Sequence, residues 1–327
     1  MALSEFEIIS TYFNKSGLIP DERHKSFVPL GIGDDCALLA IPEGKQLAIS
    51  MDVLVADIHF PHLADPTLIA QRALAVNLSD LAAMGAAPLA FTLGLTMPTV
   101  DESWLSAFSE GLSHSAQKYN CPLVGGDMSK GPLSIAIQAH GSVATGKALQ
   151  RSGAKVGDKI YVTGALGAAR MALDMFDKTL STLTEADESI LRQAYYQPEP
   201  RLETASACLG IASAAIDLSD GLLADLGHIA KRSDVGMIIE ADKIPVSVVA
   251  QKVIGKEKAL QYALGGGDDY ELALTVPEQQ IERFALVTAQ AGIPLTYIGH
   301  VIEGSGVSCR DGAGNELDLT ETGYQHF

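Results

Sequence analysis

Apolar and polar residues alternate with period two along QLAISMDVLV (46–55) and LSIAIQAHGSV (133–143), and apolar runs of strand length stand at CALLAI (36–41) and PLAFTLGLTM (88–97). Period two places successive side chains on opposite faces of a sheet, so these runs are expected as strands. Two helical patterns separate them. The first opens with Asp65 as a cap and Pro66 at the first helical position and closes at Gly85; the second spans about Asp101 to Tyr119. At the start of the chain, Ser4 and Glu7 make a capping box for an amphipathic helix.

The stretch TGKALQRSGAKVGD (145–158) has no period and is rich in glycine and basic residues, which marks a junction. Two domains are therefore expected, at 1–147 and 148–327. The second half continues with a strand at KIYVTG (159–164), a glycine turn into the helix GAARMALDMF (167–176), a strand at SAAID (213–217), a helix from about Asp220 and a pair of strands near the C-terminus. Both halves are thus α/β with mixed sheets. They share glycine–acid loops but no regular repeat period.

Length agrees with two domains, because single cores stop growing at about 250 to 300 residues and this chain has 327. With 47% hydrophobic and 19% charged residues it is globular, and 31 glycines and 14 prolines point to many tight turns. A net charge of −17 opposes any polyanion, so no nucleic-acid partner is expected, and phosphates bound here should arrive with cations. Cys36, Cys121, Cys208 and Cys309 lie far apart without metal or redox spacing and read as reduced thiols. MALSEFEIISTYF lacks a signal-peptide pattern, and the apolar segment from Ala73 is broken by Asn77, Asp80 and Pro88. No membrane span and a cytoplasmic location are expected.

The candidate chemistry lies in aspartates placed at turns and strand ends: Asp34 and Asp35 in GIGDDCALL, Asp52 in LAISMD, Asp127 in LVGGDMSKG, Asp217 and Asp220 in IDLSDG, and Asp268 and Asp269 in GGGDDYELAL. Asp80 adds a carboxylate three residues after Asn77 on an apolar helix, where a charge needs a cation, an arginine or a helix terminus. Carboxylates delivered from several loops suit several Mg²⁺ ions, which leave coordination positions open for substrate phosphates. Any one aspartate–glycine turn also has a plain reading, since the side chain bonds nearby backbone. At IDLSDG, Ser219 or Asp220 is expected to cap the next helix, whose N-terminus attracts anions. His59 and His62 in HFPH read as surface or substrate-contacting histidines, and Gly164 and Gly167 as a packing turn. Nucleotide P-loop, dinucleotide, zincin and serine-hydrolase motifs are absent from the sequence.

Taken in order, GIGDDCALL, LAISMDVLVADIHF, AVNLSDLAAMGA, LVGGD, RSGAKVGD, IDLSDGL and GGDDYEL resemble the motif set of the thiamine-monophosphate kinase family, over nearly the whole chain. The resemblance implies the two-domain fold of aminoimidazole ribonucleotide synthetase-like ATP-binding proteins, with N-terminal sheets pairing in a homodimer. The first domain would then bind Mg²⁺ and ATP and dimerise, and the second would complete the nucleotide and thiamine phosphate site. The implied reaction passes the γ-phosphate of ATP to thiamine monophosphate, the final step of thiamine diphosphate biosynthesis. Carried over by motif, Asp35, Ser50, Met51, Asp52, Asp80, Asp127, Asp217 and Asp220 would hold magnesium, with Asp127 and Asp220 at the catalytic centre. Gly126, Asp127, Arg151 and Ser219 would face ATP, and His59, Asp268 and Tyr324 the thiamine substrate. The family usually has Ser or Thr where Met51 and Met128 stand, so ligation there would use backbone oxygen. It usually has glutamate where Asp268 stands, a side chain one methylene longer.

Two other readings stay open on sequence. One is another ATP-dependent synthetase of the same superfamily; against selenophosphate synthetase stands the lack of a reactive Cys with a nearby Lys before GIGDD. The other is a non-catalytic regulator that binds magnesium nucleotide.

Overall fold

Alternation along residues 45–55 has a direct structural counterpart, because that segment is a sheet edge with one face half-buried and the other open. The computed structural model describes residues 4–180, 183–292, 294–317 and 323. The chain divides into two compact units, residues 1–81 with 86–146, and residues 82–85 with 147–327.

In the first unit, β1 (Lys45–Val55), β2 (Ala87–Met97), β3 (Leu123–Lys130) and β4 (Ser134–Ala144) form a sheet in the order β1-β4-β2-β3. The β2–β3 pair is parallel and the others antiparallel. The Ser4–Glu7 box starts α1 (Glu5–Ile8), with the Ser4 N–H and hydroxyl donating to the Glu7 carboxylate at 2.7 and 2.8 Å, and a widened π turn follows over Ile9–Phe13. Next come α2 (Pro66–Ala83) and α3 (Glu102–Lys118), the latter capped by Asp101, which accepts from the N–H groups of Ser103 and Trp104 at 2.9 and 3.0 Å.

Ile69, Leu74, Leu78 and Leu81 of α2 and Leu105, Phe108 and Leu112 of α3 are fully buried. Each such side chain contributes about 1.5–3 kcal/mol by leaving water. Gly111 in α3 is required by closeness: a Cβ there would collide with the backbone of Thr67.

Two segments differ from the sequence pattern. CALLAI does not form a strand; Leu38 makes one bridge to Leu30, and the Ala40 N–H donates to the Phe27 carbonyl. Its alternation is real, since Ala37 and Leu39 pack on Val28, Ala90 and Val124 while Leu38 is exposed, but it meets an irregular segment instead of a full ladder. LVGGDMSK, read as a loop, is β3; its glycines obscure a strand pattern because they carry no side chain to alternate.

The second unit has β5 (Lys159–Thr163), β6 (Ala214–Asp217), β7 (Gly236–Glu240), β8 (Leu272–Val276), β9 (Leu295–Ile302) and β10 (Gly306–Arg310), ordered β10-β7-β9-β5-β8-β6. β7 and β10 run parallel; the remaining pairs are antiparallel. The two C-terminal strands are therefore not partners, as β7 lies between them. Helices α4 (Ala168–Phe176), α5 (Glu185–Tyr196), α6 (Leu202–Ala207), α7 (Leu222–Ser233), α8 (Val248–Ile254), α9 (Lys256–Gly265) and α10 (Ile281–Ala291) complete the unit.

One core packs Leu226 and Ile229 of α7 with Ile160, Val162, Ile216 and Ile298; the other packs Phe284 of α10 and Ala205 of α6 with Leu272, Leu274 and Val276. All five residues of β8 are buried because both faces are covered. All four cysteines are free; burial pushes the thiol of Cys208 up to about 12 and that of Cys309 up to about 11. Among the described residues no helix is long and apolar enough to cross a membrane.

An ion pair beside β8 ties the start of α6 to the end of β5 and the start of β8. Glu271 accepts from Arg201 Nε at 2.6 Å, from Arg201 Nη2 at 2.5 Å and from Thr163 Oγ1 at 2.5 Å, and that hydroxyl accepts from the Leu272 N–H at 2.8 Å. Both charged side chains are largely buried. Removing one partner strands the other charge, so Arg201→Ala should destabilise the protein by roughly 3 kcal/mol in urea unfolding, with Arg201→Met/Glu271→Leu recovering much of the loss. A loss for Arg201→Ala below about 1 kcal/mol would show that the pair is not holding the fold.

Candidate active site

In the first unit, strand alternation puts Ser50 and Asp52 on the half-buried face of β1, opposite Leu47, Ile49, Met51 and Val53. The thioether of Met51 thus lies on the other face, and only its backbone runs between Ser50 and Asp52. Against them, α2 brings Asn77 and Asp80. Asn77 is fully buried; its side-chain oxygen accepts from the Asp52 N–H at 3.0 Å and its amide donates to the Ala73 carbonyl at 2.9 Å. The Ser50 hydroxyl donates to the Asp80 carboxylate.

Asp52 is pushed up to about 6, first by burial and then by the charge of Asp80, while Arg72 opposes the rise. Two carboxylates and a hydroxyl on this face form an all-oxygen donor set with a charge conflict. That is the chemistry a hard cation such as Mg²⁺ relieves, so Ser50, Asp52 and Asp80 fit the ion.

The other candidates of this unit stand apart from that trio. Asp52, Ile137, Leu93 and Gly126 occupy one row across the sheet, so Gly126 and Asp127 on β3 lie three strand spacings, roughly 14 Å, from β1. Gly126 has no room for a side chain, since a Cβ would strike the Leu93 carbonyl. Asp127 is exposed and accepts from Ser129 Oγ at 3.1 Å. Asp35 is exposed in the loop before Cys36. His59 follows β1 and its Nδ1 accepts from the Val55 N–H at 3.0 Å, which leaves the proton of a neutral ring on Nε2. His62 pairs with Asp57 at 2.8 Å on the surface.

In the second unit, β6 delivers a buried Asp217, and the chain then turns through Ser219, Asp220 and Gly221 into α7. Neither Ser219 nor Asp220 caps the helix. Gly221 occupies the cap with φ 123°, a left-handed value that glycine tolerates, and a Cβ there would press on the backbone of Gly265. Asp225, one turn into the helix, reaches back instead and accepts from the N–H groups of Asp220 and Gly221, both at 3.1 Å. Burial pushes Asp225 up to about 7, followed by the nearby charge of Asp220; those N–H bonds and Arg151 oppose it. Asp220, Asp225 and the exposed His228 present potential ligand atoms within 4.8 Å of one another.

Arg151 is exposed, and its segment is fastened by Ser233 at the end of α7: the Ser233 hydroxyl donates to the Arg151 carbonyl at 3.1 Å and accepts from the N–H groups of Gly153 and Ala154 at 3.1 and 3.2 Å. The sequence offered no motif for Asp225 or Ser233. Asp225 had only a weak signal, an acid in the first turn of a helix opening on glycine.

The loop GGGDDYE lies along IDLSD. The Asp268 N–H donates to the Ser219 carbonyl at 2.9 Å, the Tyr270 N–H to Leu218 at 2.8 Å and the Leu218 N–H to Glu271 at 2.8 Å, extending the β6–β8 ladder into both loops. The paired acids separate in role. Both are half-buried, Asp268 next to Ser219, whereas the Asp269 carboxylate accepts twice from the Gly167 N–H, at 3.0 and 2.9 Å. Burial holds Asp269 well above the usual carboxylate range, with Glu271 and Asp268 adding to the rise. Tyr324 lies outside the described residues; Gly323 before it runs so close over α7 that a Cβ would press on Ala224.

The chain is similar to known proteins over its whole length. Residues 33–143 match the AIR synthase related protein N-terminal domain, and residues 155–312 match its C-terminal domain. Thiamine-monophosphate kinase of Salmonella typhimurium is 46% identical over 330 residues, covering 100% of this chain and 99% of that one. The crystal structure of thiamine-monophosphate kinase from Stenotrophomonas maltophilia matches with a TM-score of 0.83 at 38% identity, covering 97% of this chain and 99% of that one. A solved chain described as "AaThiL complexed with AMPPCP and TMP" matches with a TM-score of 0.77 at 30% identity, covering 88% of this chain and 89% of that one. With both AIR synthase related domains present and full-length identity at this level, the chain belongs to the thiamine-monophosphate kinase family.

Proposed function

We propose that this protein transfers the γ-phosphate of ATP to the phosphate of thiamine monophosphate, yielding thiamine diphosphate and ADP. The observation that carries the reading is the 46% identity to a thiamine-monophosphate kinase along the entire chain. It is supported by oxygen-rich groups in both units: Ser50, Asp52 and Asp80 in the first, and Asp220 beside Asp225 in the second. In this reading Asp35, Ser50, the Met51 backbone, Asp52, Asp80, Asp127, Asp217 and Asp220 hold magnesium. Bound Mg²⁺ supplies charge neutralisation between the triphosphate and an anionic acceptor.

The protein's own groups then have positional tasks. Gly126 offers close backbone approach to ATP, Arg151 offers a guanidinium to phosphate, and Ser219 stands at the α7 turn; His59, Asp268 and Tyr324 serve the thiamine substrate. The acceptor is a phosphate monoester with a second pKa of about 6, so at neutral pH it is already ionised and requires no general base. That accounts for a site built of aspartates with few histidines. Transfer is direct and in line, without a phosphoenzyme. A cytoplasmic location belongs to the same reading.

We also propose a homodimer formed through β1. This strand is a sheet edge and exposes Leu47, Ile49, Met51 and Val53 in one apolar row. An open edge with such a row is a pairing surface.

Purified protein with ATP, Mg²⁺ and thiamine monophosphate should form thiamine diphosphate, and Asp80→Asn or Asp220→Asn should abolish formation while leaving the circular dichroism spectrum unchanged. Tight ATP binding with no turnover would instead favour a regulator, and full activity of either variant at ordinary Mg²⁺ would remove that residue from the assignment. With γ-labelled ATP and no acceptor, the protein should carry no stable label; a labelled protein would overturn direct transfer. In light-scattering chromatography the protein should run as a dimer and Ile49→Glu as a monomer, and a wild-type monomer would refute pairing through β1.

A further inference from the structure

The reaction scheme leaves Asp269 unused, although its carboxylate is fixed to backbone in the second unit. Helix α4 begins at Gly167, whose φ of 88° is left-handed and which has no side chain to cap the helix. Asp269 supplies that cap from 102 residues away: both carboxylate oxygens accept from the Gly167 N–H. A carboxylate facing a helix N-terminus is a fixed point, since it answers an N–H group left without a partner inside the helix.

The residues on either side of this anchor have unusual backbones. Asp268 has φ 71° and Tyr270 has φ 49°, both in the left-handed region that non-glycine residues disfavour and that bulky residues disfavour most. Such a conformation persists only where its surroundings over-determine it. Here two kinds of restraint do so. The N–H groups of Asp268 and Tyr270 are pinned to the carbonyls of Ser219 and Leu218, and the side chain between them is pinned to α4.

We propose that Asp269 is a positioning residue for the acceptor: by capping α4 it locks the left-handed turn that presents Asp268 to thiamine monophosphate. The inference rests on the reading of Asp268 as a substrate contact, and it assigns to the second acid of GGGDDYEL a task separate from the first. A cap that served stability alone would lower the melting temperature without changing how substrate binds.

The test is a double-mutant cycle read in the KM for thiamine monophosphate, with the full-length protein. Asp269→Ala should raise that KM about tenfold, the scale of losing hydrogen bonds to a charged group, and Asp268→Ala should raise it as well. If Asp269 acts through Asp268, the double variant is no worse than Asp268→Ala alone. An unchanged KM in Asp269→Ala, or effects that multiply in the double variant, would overturn the inference. Should Asp269→Ala not fold, Asp269→Asn serves in the same cycle; its amide keeps one acceptor oxygen, so a smaller rise that again disappears beside Asp268→Ala is expected. Asp268→Ala without effect would instead remove the substrate-contact reading itself, so the two failures are distinguishable.

Discussion

Carboxylates set close together in partly buried positions govern how the candidate site of each unit is built. Like charges in such places raise one another's proton affinity, as Asp80 does to Asp52 and Asp220 does to Asp225. The fold answers with local compensation. Asn77 orients the Asp52 backbone, Arg72 offsets its charge, and Ser50 donates to Asp80. In the second unit, backbone N–H groups and Arg151 do the same for Asp225. A dication carried in with nucleotide would be a further complement to such oxygen-rich groups.

Glycine makes the crowding geometrically possible. A Cβ at Gly126 would meet the Leu93 carbonyl, one at Gly221 the backbone of Gly265, and one at Gly267 the Ser219 carbonyl. These residues let acidic loops lie on neighbouring backbone at distances that side chains forbid. The result in the second unit is a continuous hydrogen-bonded strip, running from the β6–β8 ladder through Leu218, Ser219, Asp268 and Tyr270. Asp217, Asp220 and Asp268 are thus held on a shared backbone frame, and a shift of one loop moves the other.

Much of this was legible in the residues, for reasons that differ by element. Strands β1 and β4 show period two because one face of each is more open than the other. Helices α2 and α3 declare themselves by Pro66 and Asp101, whose backbone and side-chain chemistry act locally. CALLAI misled because alternation reports which side chains are buried, not whether a neighbouring strand is present. The strand role of LVGGDMSK was hidden by glycine. At IDLSDG the expected serine or aspartate cap was displaced by Asp225, since a buried carboxylate one turn later reaches the same N–H groups while Gly221 takes the strained position. The role of Asp269 was invisible for a different reason: its partner, Gly167, is 102 residues away, and only the folded chain joins them.

The strings GIGDDCALL and GGGDDYELAL carry this distinction furthest. Both place two acids after glycines and before apolar residues, yet their environments share little. The first lies in an exposed loop whose apolar tail makes a single bridge, so Asp34 and Asp35 remain at the surface. The second runs into a strand buried on both faces, and its acids take separate partners: Asp268 stands beside Ser219, Asp269 on the α4 terminus and the buried Glu271 on Arg201. Depth, set by the segment that the acids lead into, decides which carboxylates remain available to a ligand and which become structural anchors. A shared glycine–acid pattern therefore specifies a turn, and the burial of the next strand specifies its use.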